Sequence, residues 1–174
     1  MYGGDEVNAI VLDLGAGSVK AGYAGEDTPK AIFPSVVGCR AGPPAADGKA
    51  PQRERFVGSQ ALGFRRDNME VVPALANGLY DDWELLEDLW NHAFSDRLRI
   101  DPKDHPLMLA EPSFQPREAR ERVVTRVFEG CSAPALFLAK NAALSSYATG
   151  RQTSLVVDMG CEGTVGVLPA STAA

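Results

Sequence analysis

Apolar residues recur along this chain at two spacings, and each spacing predicts a different kind of element. Short runs rich in apolar and β-branched residues predict strands, whereas apolar residues three and four positions apart predict amphipathic helices. The runs that predict strands are 8–13, 18–23, 30–37, 106–110, 133–139 and 154–158. The spacings that predict helices cover 81–94, 118–129 and 141–149.

The connections between the predicted strands indicate how the strands pair. The first three strands are joined by links too short for a crossover, so we expect them to be antiparallel neighbours. The later strands alternate with helices, which favours parallel pairing in a mixed sheet covered by helices. Pro34 has no N–H to donate, so the third strand should lie at an edge or end there. The predicted fold class is therefore α/β.

Two of the predicted helices show which face should pack on the core. In the helix 81–94, Trp83 and Trp90 share the apolar stripe. Asp81 and Asp82 lie at the positive N-terminal end of that helix. The helix 118–129 places Ala119, Val123, Val127 and Phe128 on one face. We expect the apolar members of both sets to be buried.

The segment 38–55 differs in composition from the residues around it. It consists mainly of Gly, Pro, Ala and charged residues, with few bulky apolar side chains to bury. Such a composition predicts a mobile loop or an insertion.

The overall composition excludes several classes of protein. With 174 residues, 45% of them hydrophobic and 23% charged, the chain has the profile of one globular domain. Its longest apolar runs are shorter than the roughly 20 residues of a bilayer-spanning helix, so we expect no integral membrane protein. The net charge of −6 disfavours a general coating of phosphate backbones.

The cysteines and the N-terminus favour a reducing intracellular compartment. Cys39, Cys131 and Cys161 are far apart and form no CxxC pair, which disfavours a disulfide framework or a zinc site. The first residues are acidic and polar, unlike a secretory signal.

A repeated turn is the sharpest chemical feature of the sequence. Asp13 ends an apolar run and is followed by Gly15 and Gly17, and Asp158 ends another such run 145 residues later, followed by Gly160. Backbone N–H groups exposed in such turns can form an anion-binding concavity. Two facing turns would hold the phosphates of a nucleotide, with each aspartate orienting the waters of a Mg²⁺ ion. Lys20, on the returning strand, would add a positive charge.

An ordinary structural role for these turns stays open. An Asp-x-Gly turn after a strand is common, and either copy alone is more often structural. The two copies together leave the phosphate site and the structural turn about equally supported, and neither copy has the lysine that ends a P-loop.

The remaining polar candidates favour structural roles. His92 and His105 have the setting of packing or capping residues, and Ser145 and Ser146 have no nearby base to activate them. The arginines of the second predicted helix alternate with glutamates, which favours a solvated, ion-paired face. These arginines are Arg117, Arg120, Arg122 and Arg126.

Long stretches of the sequence resemble a known family. The segments AIVLDLGAGSVKAGYAGEDTPKAIFPSVVG, DDWELLEDLWNHAF, HPLMLAEPSFQPREARERVVTRVFE, PALFLAKNAALSSYATGR and SLVVDMG resemble actin and the actin-related proteins. The resemblance covers residues 8–160, and FVGSQALGFRRDNMEV and ALFLAKN look most like a nuclear class of that family.

The resemblance implies the actin fold, in which ATP lies between two ribonuclease-H-like halves. It assigns 1–37 and 80–150 to the first half and 38–79 to a small inserted domain. The segment 38–55 would correspond to the DNase-binding loop of actin. Residues 151–174 would begin the second half, which is incomplete. Family members are much longer chains, so we expect a truncated form whose cleft is only partly built.

The resemblance also implies a set of nucleotide-binding residues. These are Asp13, Gly15, Ala16, Gly17, Lys20, Asp158, Gly160, Cys161, Glu162 and Gly163, with Asp13 and Asp158 holding Mg²⁺ through water. Ala16 replaces a serine whose hydroxyl would bond a terminal phosphate, a loss of about 1 kcal/mol. Cys161 and Glu162 stand where actin has Asp and Gly. A carboxylate at Glu162 would repel phosphate unless it turned outward or helped to hold Mg²⁺.

The positions that handle the attacking water in actin are also changed. Asn141 replaces a glutamine that is one methylene longer, and Val165 replaces a histidine. A valine cannot hydrogen-bond water, so the resemblance implies no catalytic residue and no ATP hydrolysis here. ATP and Mg²⁺ remain ligands expected of a longer form.

The resemblance finally implies partners and a compartment. The nuclear class consists of scaffold subunits of chromatin-remodelling and histone-acetyltransferase complexes, which pair with actin on the helicase-SANT-associated helix of a motor subunit. Other chromatin-complex subunits are further expected partners, the nucleosome would be contacted indirectly, and no membrane is expected. The nucleus is the expected compartment, with the cytoplasm as the second. The alternatives are an ATP-binding cytoskeletal actin relative and a truncated product without independent activity.

Overall fold

The structure, a computed structural model, describes residues 8–42, 52–151 and 153–168. Within these ranges the strands are β1 (Ile10–Leu14), β2 (Ser18–Tyr23), β3 (Ala31–Pro34), β4 (Val36–Ala41), β5 (Arg53–Val57), β6 (Glu70–Pro73), β7 (Leu75–Ala76), β8 (Leu79–Tyr80), β9 (Leu107–Glu111), β10 (Leu136–Lys140), β11 (Val156–Met159) and β12 (Thr164–Val167). The α-helices are α1 (Ser59–Gly63), α2 (Trp83–Asn91), α3 (Arg117–Thr125) and α4 (Asn141–Ala148).

The main sheet confirms the predicted mixed topology. Its described strands lie in the order β10-β9-β1-β2-β3. Strand β9 pairs in parallel with β1 and β10, whereas β1, β2 and β3 form antiparallel pairs. Alternate residues of β1 are buried, namely Ile10, Leu12 and Leu14, because successive side chains of a strand point to opposite faces. As the pattern predicted, β3 lies at the edge of this sheet and ends at Pro34.

Helix α2 packs its apolar face into the hydrophobic core and contacts β4. Asp82 caps the helix, since its Oδ1 accepts hydrogen bonds from the N–H groups of Glu84 and Leu85 at 3.0 and 3.2 Å. The helix continues into a π-helical segment, His92–Leu98, that buries Phe94. Trp90 is buried as predicted, but Trp83 is only partly buried because it lies at the start of the helix.

Helix α3 and the π-helical segment Arg126–Gly130 follow the second predicted helix. Val123 and Val127 are buried, as the spacing predicted. Phe128 is 45% exposed, which corrects its assignment to the core. It lies in the π-helical segment, whose wider turn does not keep the α-helical spacing that placed it on the buried face.

A second, smaller sheet corrects two predictions. The predicted strand 30–37 divides at Ser35, so that β3 joins the main sheet and β4 joins a sheet of order β5-β4-β6. The Ser35 hydroxyl donates to the Ala16 carbonyl at 2.6 Å, which fixes the point of division. The segment 38–55, predicted as a mobile loop or an insertion, is not loop throughout, since its ends lie in β4 and β5, which pair with Cys39 opposite Arg55. Its central residues, 43–51, lie outside the described residues.

The last part of the described chain is a separate two-stranded hairpin. Strands β11 and β12 pair antiparallel, with Asp158 opposite Val165. Helix α4 leads to this hairpin, and the Ser146 hydroxyl lies 2.6 Å from the Ser154 hydroxyl oxygen just before β11. The division of the chain into a first half, an inserted domain and the start of a second half stays a prediction. None of the described helices is long and apolar enough to cross a bilayer.

Candidate functional site

The β1–β2 turn and the β11–β12 turn face each other across one cleft. The cleft has a volume of about 320 Å³. All ten residues predicted to bind a nucleotide lie along its walls, namely Asp13, Gly15, Ala16, Gly17, Lys20, Asp158, Gly160, Cys161, Glu162 and Gly163. The structure therefore brings together two turns that are 145 residues apart in sequence.

The two turns approach each other most closely at Gly17 and Cys161. A Cβ atom built on Gly17 would lie 2.2 Å from the Cys161 Sγ atom, so a larger residue there would displace the exposed Cys161 side chain. The second glycine of the first turn therefore allows this close contact between the two turns.

The first turn carries the only lysine of the described cleft wall. Asp13, the residue before the last of β1, lies directly opposite Lys20 on β2, and the Lys20 Nζ atom lies 3.3 Å from Asp13 Oδ2. The Gly15 N–H donates to the Ser18 carbonyl at 3.1 Å, which closes the turn. Ala16 contributes no hydroxyl at the tip.

The second turn has the same closure and a different tip. The Gly160 N–H donates to the Gly163 carbonyl at 2.9 Å. Glu162 extends from the tip across the cleft, and its Oε2 atom accepts a hydrogen bond of 2.5 Å from the Gly78 N–H. The Glu162 carboxylate therefore lies on the cleft wall, bound to the opposite side of the cleft.

Gly78 belongs to a short hairpin that sequence reasoning did not include in the site. Strands β7 and β8 are joined by Asn77 and Gly78, which both have positive φ angles, 54° and 73°. An Asn-Gly pair between apolar residues is a strong hairpin signal, so the turn was predictable although its position beside the cleft was not. Other wall residues missed by the sequence are Leu75, Pro112 and Phe114.

The charges of the cleft wall favour a polyphosphate that carries a bound cation over a polyphosphate alone. Asp13, Asp158 and Glu162 carry three negative charges against the one positive charge of Lys20, a formal balance of −2. A polyphosphate alone would be repelled, whereas its Mg²⁺ complex would be compensated by the aspartates. Carboxylate oxygens are ligands that Mg²⁺ prefers, so the donor set fits the predicted ion. No cluster of three or more His, Cys, Asp or Glu side chains suited to a metal occurs in the described ranges.

Two uncharged polar side chains, Asn141 and Tyr80, lie wholly or partly inside the protein. The Oδ1 atom of Asn141, at the start of α4, is buried in the cleft wall and has no hydrogen-bond partner among the described residues. Tyr80, on β8, is partly buried. Burial raises the pKa of the Tyr80 hydroxyl, and the charges of Glu111 and Asp13 raise it further.

The histidines lie outside the cleft. The His92 ring packs edge-on against Phe33, with ring centroids 4.7 Å apart, and its Nδ1 atom lies 2.7 Å from Asp96 Oδ2. The His105 Nδ1 atom lies 2.9 Å from the Asn8 carbonyl oxygen. Both contacts agree with the packing roles predicted.

The arginines of α3 and of the π-helical segment that follows it are largely ion-paired, as predicted. Arg117 Nε lies 2.8 Å from Glu121, Arg120 Nε lies 2.9 Å from the buried Glu111, and Arg126 pairs with Glu87. The Arg122 guanidinium instead lies 5.7 Å from the centre of the Trp83 ring. This face therefore offers no free cluster of cations among the described residues.

Curated relatives with high identity are actin-related proteins. Actin-related protein 4 of Arabidopsis thaliana is 48% identical over 180 aligned residues, which cover 92% of this chain and 41% of that protein. Actin-related protein 4 of Oryza sativa subsp. indica is also 48% identical, over 95% of this chain and 42% of that protein. The chain therefore spans about two fifths of the length of these two relatives.

A shorter relative aligns over its whole length. Actin-related protein 4A of Arabidopsis thaliana is 45% identical over 145 residues, which cover 75% of this chain and 100% of that protein. The actin family model matches residues 4–169, nearly the whole chain. With the family model and these relatives in agreement, the chain belongs to the actin family.

Proposed function

We propose that this chain acts as a non-catalytic, actin-related scaffold subunit of nuclear chromatin-remodelling and histone-acetyltransferase complexes. The observation that carries the proposal is the 48% identity to two plant actin-related proteins 4, over more than nine tenths of the chain. In this function the chain binds actin and the helicase-SANT-associated helix of a motor subunit, works in the nucleus and contacts the nucleosome through other subunits.

The wall of the cleft supports a role without hydrolysis. Val165 lies in β12 on the cleft wall and offers no atom that could orient a water molecule. Asn141 has a free acceptor oxygen there, but its side chain is one methylene shorter than the glutamine of actin. A nucleotide held with Mg²⁺ between Asp13 and Asp158 would therefore act as a structural ligand of the subunit.

The exposed apolar side chains support a role in assembly. Phe137 on β10 is 64% exposed, and Met159 on β11 is 78% exposed. Strand β10 is also the free edge of the main sheet within the described residues. Contiguous exposed apolar surface and unpaired strand edges are typical of regions that bind further polypeptide.

The scaffold function is tested by reconstitution. The 174-residue chain is mixed with actin and a purified helicase-SANT-associated helix, and the products are separated by size-exclusion chromatography with light scattering. We expect a complex that contains all three components. A matched helix with its apolar face replaced by serine should not form it. Failure of the chain to join either component would refute the proposed scaffold function.

The absence of catalysis is tested separately. With Mg²⁺ and ATP, we expect phosphate release by the chain to equal that of the Asp13→Ala variant, which lacks the Mg²⁺-orienting carboxylate. Release that Asp13→Ala abolishes would favour the alternative of an ATP-hydrolysing cytoskeletal relative.

A further inference from the structure

Glu162 forms a contact that joins two parts of the chain across the cleft. Its carboxylate accepts the Gly78 N–H at 2.5 Å, although the two residues are 84 positions apart. A hydrogen bond to an ionised carboxylate is shorter and stronger than a neutral one. This bond therefore connects the β11–β12 turn directly to the β7–β8 turn.

The contact places a fixed negative charge at the cleft. Glu162, Asn77 and Gly78 all lie on the cleft wall, together with both phosphate-site turns. Like a phosphate oxygen, a carboxylate oxygen is an anionic acceptor for the hydrogen bond of an N–H group. The same charge repels a phosphate that enters between the turns, because like charges a few ångströms apart raise each other's energy.

We propose that Glu162 is a built-in anion, which bridges the cleft through the Gly78 N–H and competes with the phosphates of a Mg²⁺-bound nucleotide. This inference rests on the nucleotide site of the proposed function and adds the residue that sets the affinity of that site. Glu162 makes the connection across the cleft independent of nucleotide, and it lowers the affinity for any polyphosphate.

The affinity is tested with Mg-ATP by isothermal titration calorimetry on the full chain. We expect Glu162→Gln to bind Mg-ATP about three- to tenfold more tightly than the unchanged chain, because the amide keeps the size of the side chain and removes its charge. Glu118→Gln, which makes the same chemical change on exposed α3, should bind like the unchanged chain.

The bridge is tested without nucleotide by amide hydrogen exchange. We expect the Gly78 N–H of the ligand-free chain to exchange more slowly than in Glu162→Ala, which removes the acceptor. Because Glu162 is exposed, both variants should keep the fold, and circular dichroism checks this.

The outcomes separate this inference from the function on which it rests. Equal Mg-ATP affinities of the unchanged chain and Glu162→Gln would overturn the inference and leave the nucleotide site standing. Unchanged Gly78 exchange in Glu162→Ala would also overturn it. Absence of Mg-ATP binding in every variant would refute the nucleotide site, and the competition proposed for Glu162 with it.

Discussion

Single residues decide how closely the two turns of the cleft approach each other. The glycines that punctuate the turns were evident in the sequence, as were the aspartates that precede them. The reason for Gly17 was not, because it lies in the contact with Cys161 from a distant part of the chain. Sequence patterns reflect interactions between neighbouring residues, whereas the contact of Gly17 joins two residues that are distant in sequence.

The requirement at Gly17 can be tested by adding one methyl group. We expect Gly17→Ala to lower the free energy of unfolding by up to about 1 kcal/mol, because its Cβ would overlap the Cys161 Sγ atom and displace that side chain from its contact. Urea denaturation measures the change.

The control for this substitution is Gly63→Ala, where a Cβ atom would meet no other atom within 4 Å. That variant should stay within about 0.5 kcal/mol of the unchanged chain. Adding Cys161→Ala to Gly17→Ala should recover most of the loss. The packing explanation fails if the two glycine variants lose stability equally.

Elements form where local sequence and tertiary packing agree. The pattern located α2 and α3 because apolar residues at helical spacing face the core. It did not separate β3 from β4, since 30–37 is one apolar run. The two strands join different sheets at Ser35, whose hydroxyl bonds to the distant Ala16 carbonyl. It also missed strand at both ends of 38–55, because Gly38 and Arg40 flank the buried Cys39 at one end and charged residues alternate along β5 at the other.

The start of α2 depends on one carboxylate. We expect Asp82→Ala to lower the free energy of unfolding by about 1 kcal/mol, since two N–H groups of the first turn lose their acceptor. The neighbouring Asp81→Ala removes an exposed carboxylate that does not cap the helix, so thermal denaturation should show a smaller loss. Equal losses in the two variants would contradict the capping role.

The packing of the small sheet on α2 depends on pH through Asp88. Arg55 of β5 lies 3.0 Å from the Asp88 carboxylate. Burial raises the pKa of Asp88, and the charge of Arg55 opposes this rise only in part. The folded chain therefore holds this proton more tightly than the unfolded chain. The protonated Asp88 therefore stabilises the folded chain. This contribution is fully present below the pKa of Asp88 in the unfolded chain and is lost as the pH rises through its pKa in the folded chain.

This linkage predicts a difference between two variants. Relative to Asp88→Asn, the unchanged chain should lose stability as the pH rises above about 4 and passes through the raised pKa of Asp88. Chemical denaturation at several pH values measures the trend. The exposed Asp27→Asn serves as the control. If the difference in the free energy of unfolding between the unchanged chain and Asp88→Asn does not change with pH, the raised pKa of Asp88 is contradicted.

The whole molecule leaves part of its apolar surface uncovered. Leu155, Val157 and Met159 follow the alternation of one strand face and are all more than half exposed. A two-stranded hairpin has too little surface to bury such a face by itself. This hairpin is therefore the region where we expect the purified chain to associate with itself.

Self-association should decrease when this face is made polar. We expect the double variant Val157→Thr with Met159→Ser to remain monomeric at concentrations where the unchanged chain forms larger species. Analytical ultracentrifugation measures the difference. Ile32→Thr changes a single exposed residue on the main sheet and should behave like the unchanged chain. An unaltered mass distribution in the double variant would show that another surface is responsible.

The sequence by itself determined most elements, the mixed pairing of the main sheet and the two glycine turns that follow Asp13 and Asp158. These features follow from the period of apolar residues and from turn chemistry, which act over a few residues. Only the tertiary structure brought the turns within contact at Gly17 and Cys161 and joined Glu162 to Gly78. Such contacts depend on how whole elements pack. The spacing of residues along the chain does not show how far apart two distant turns lie in the folded protein.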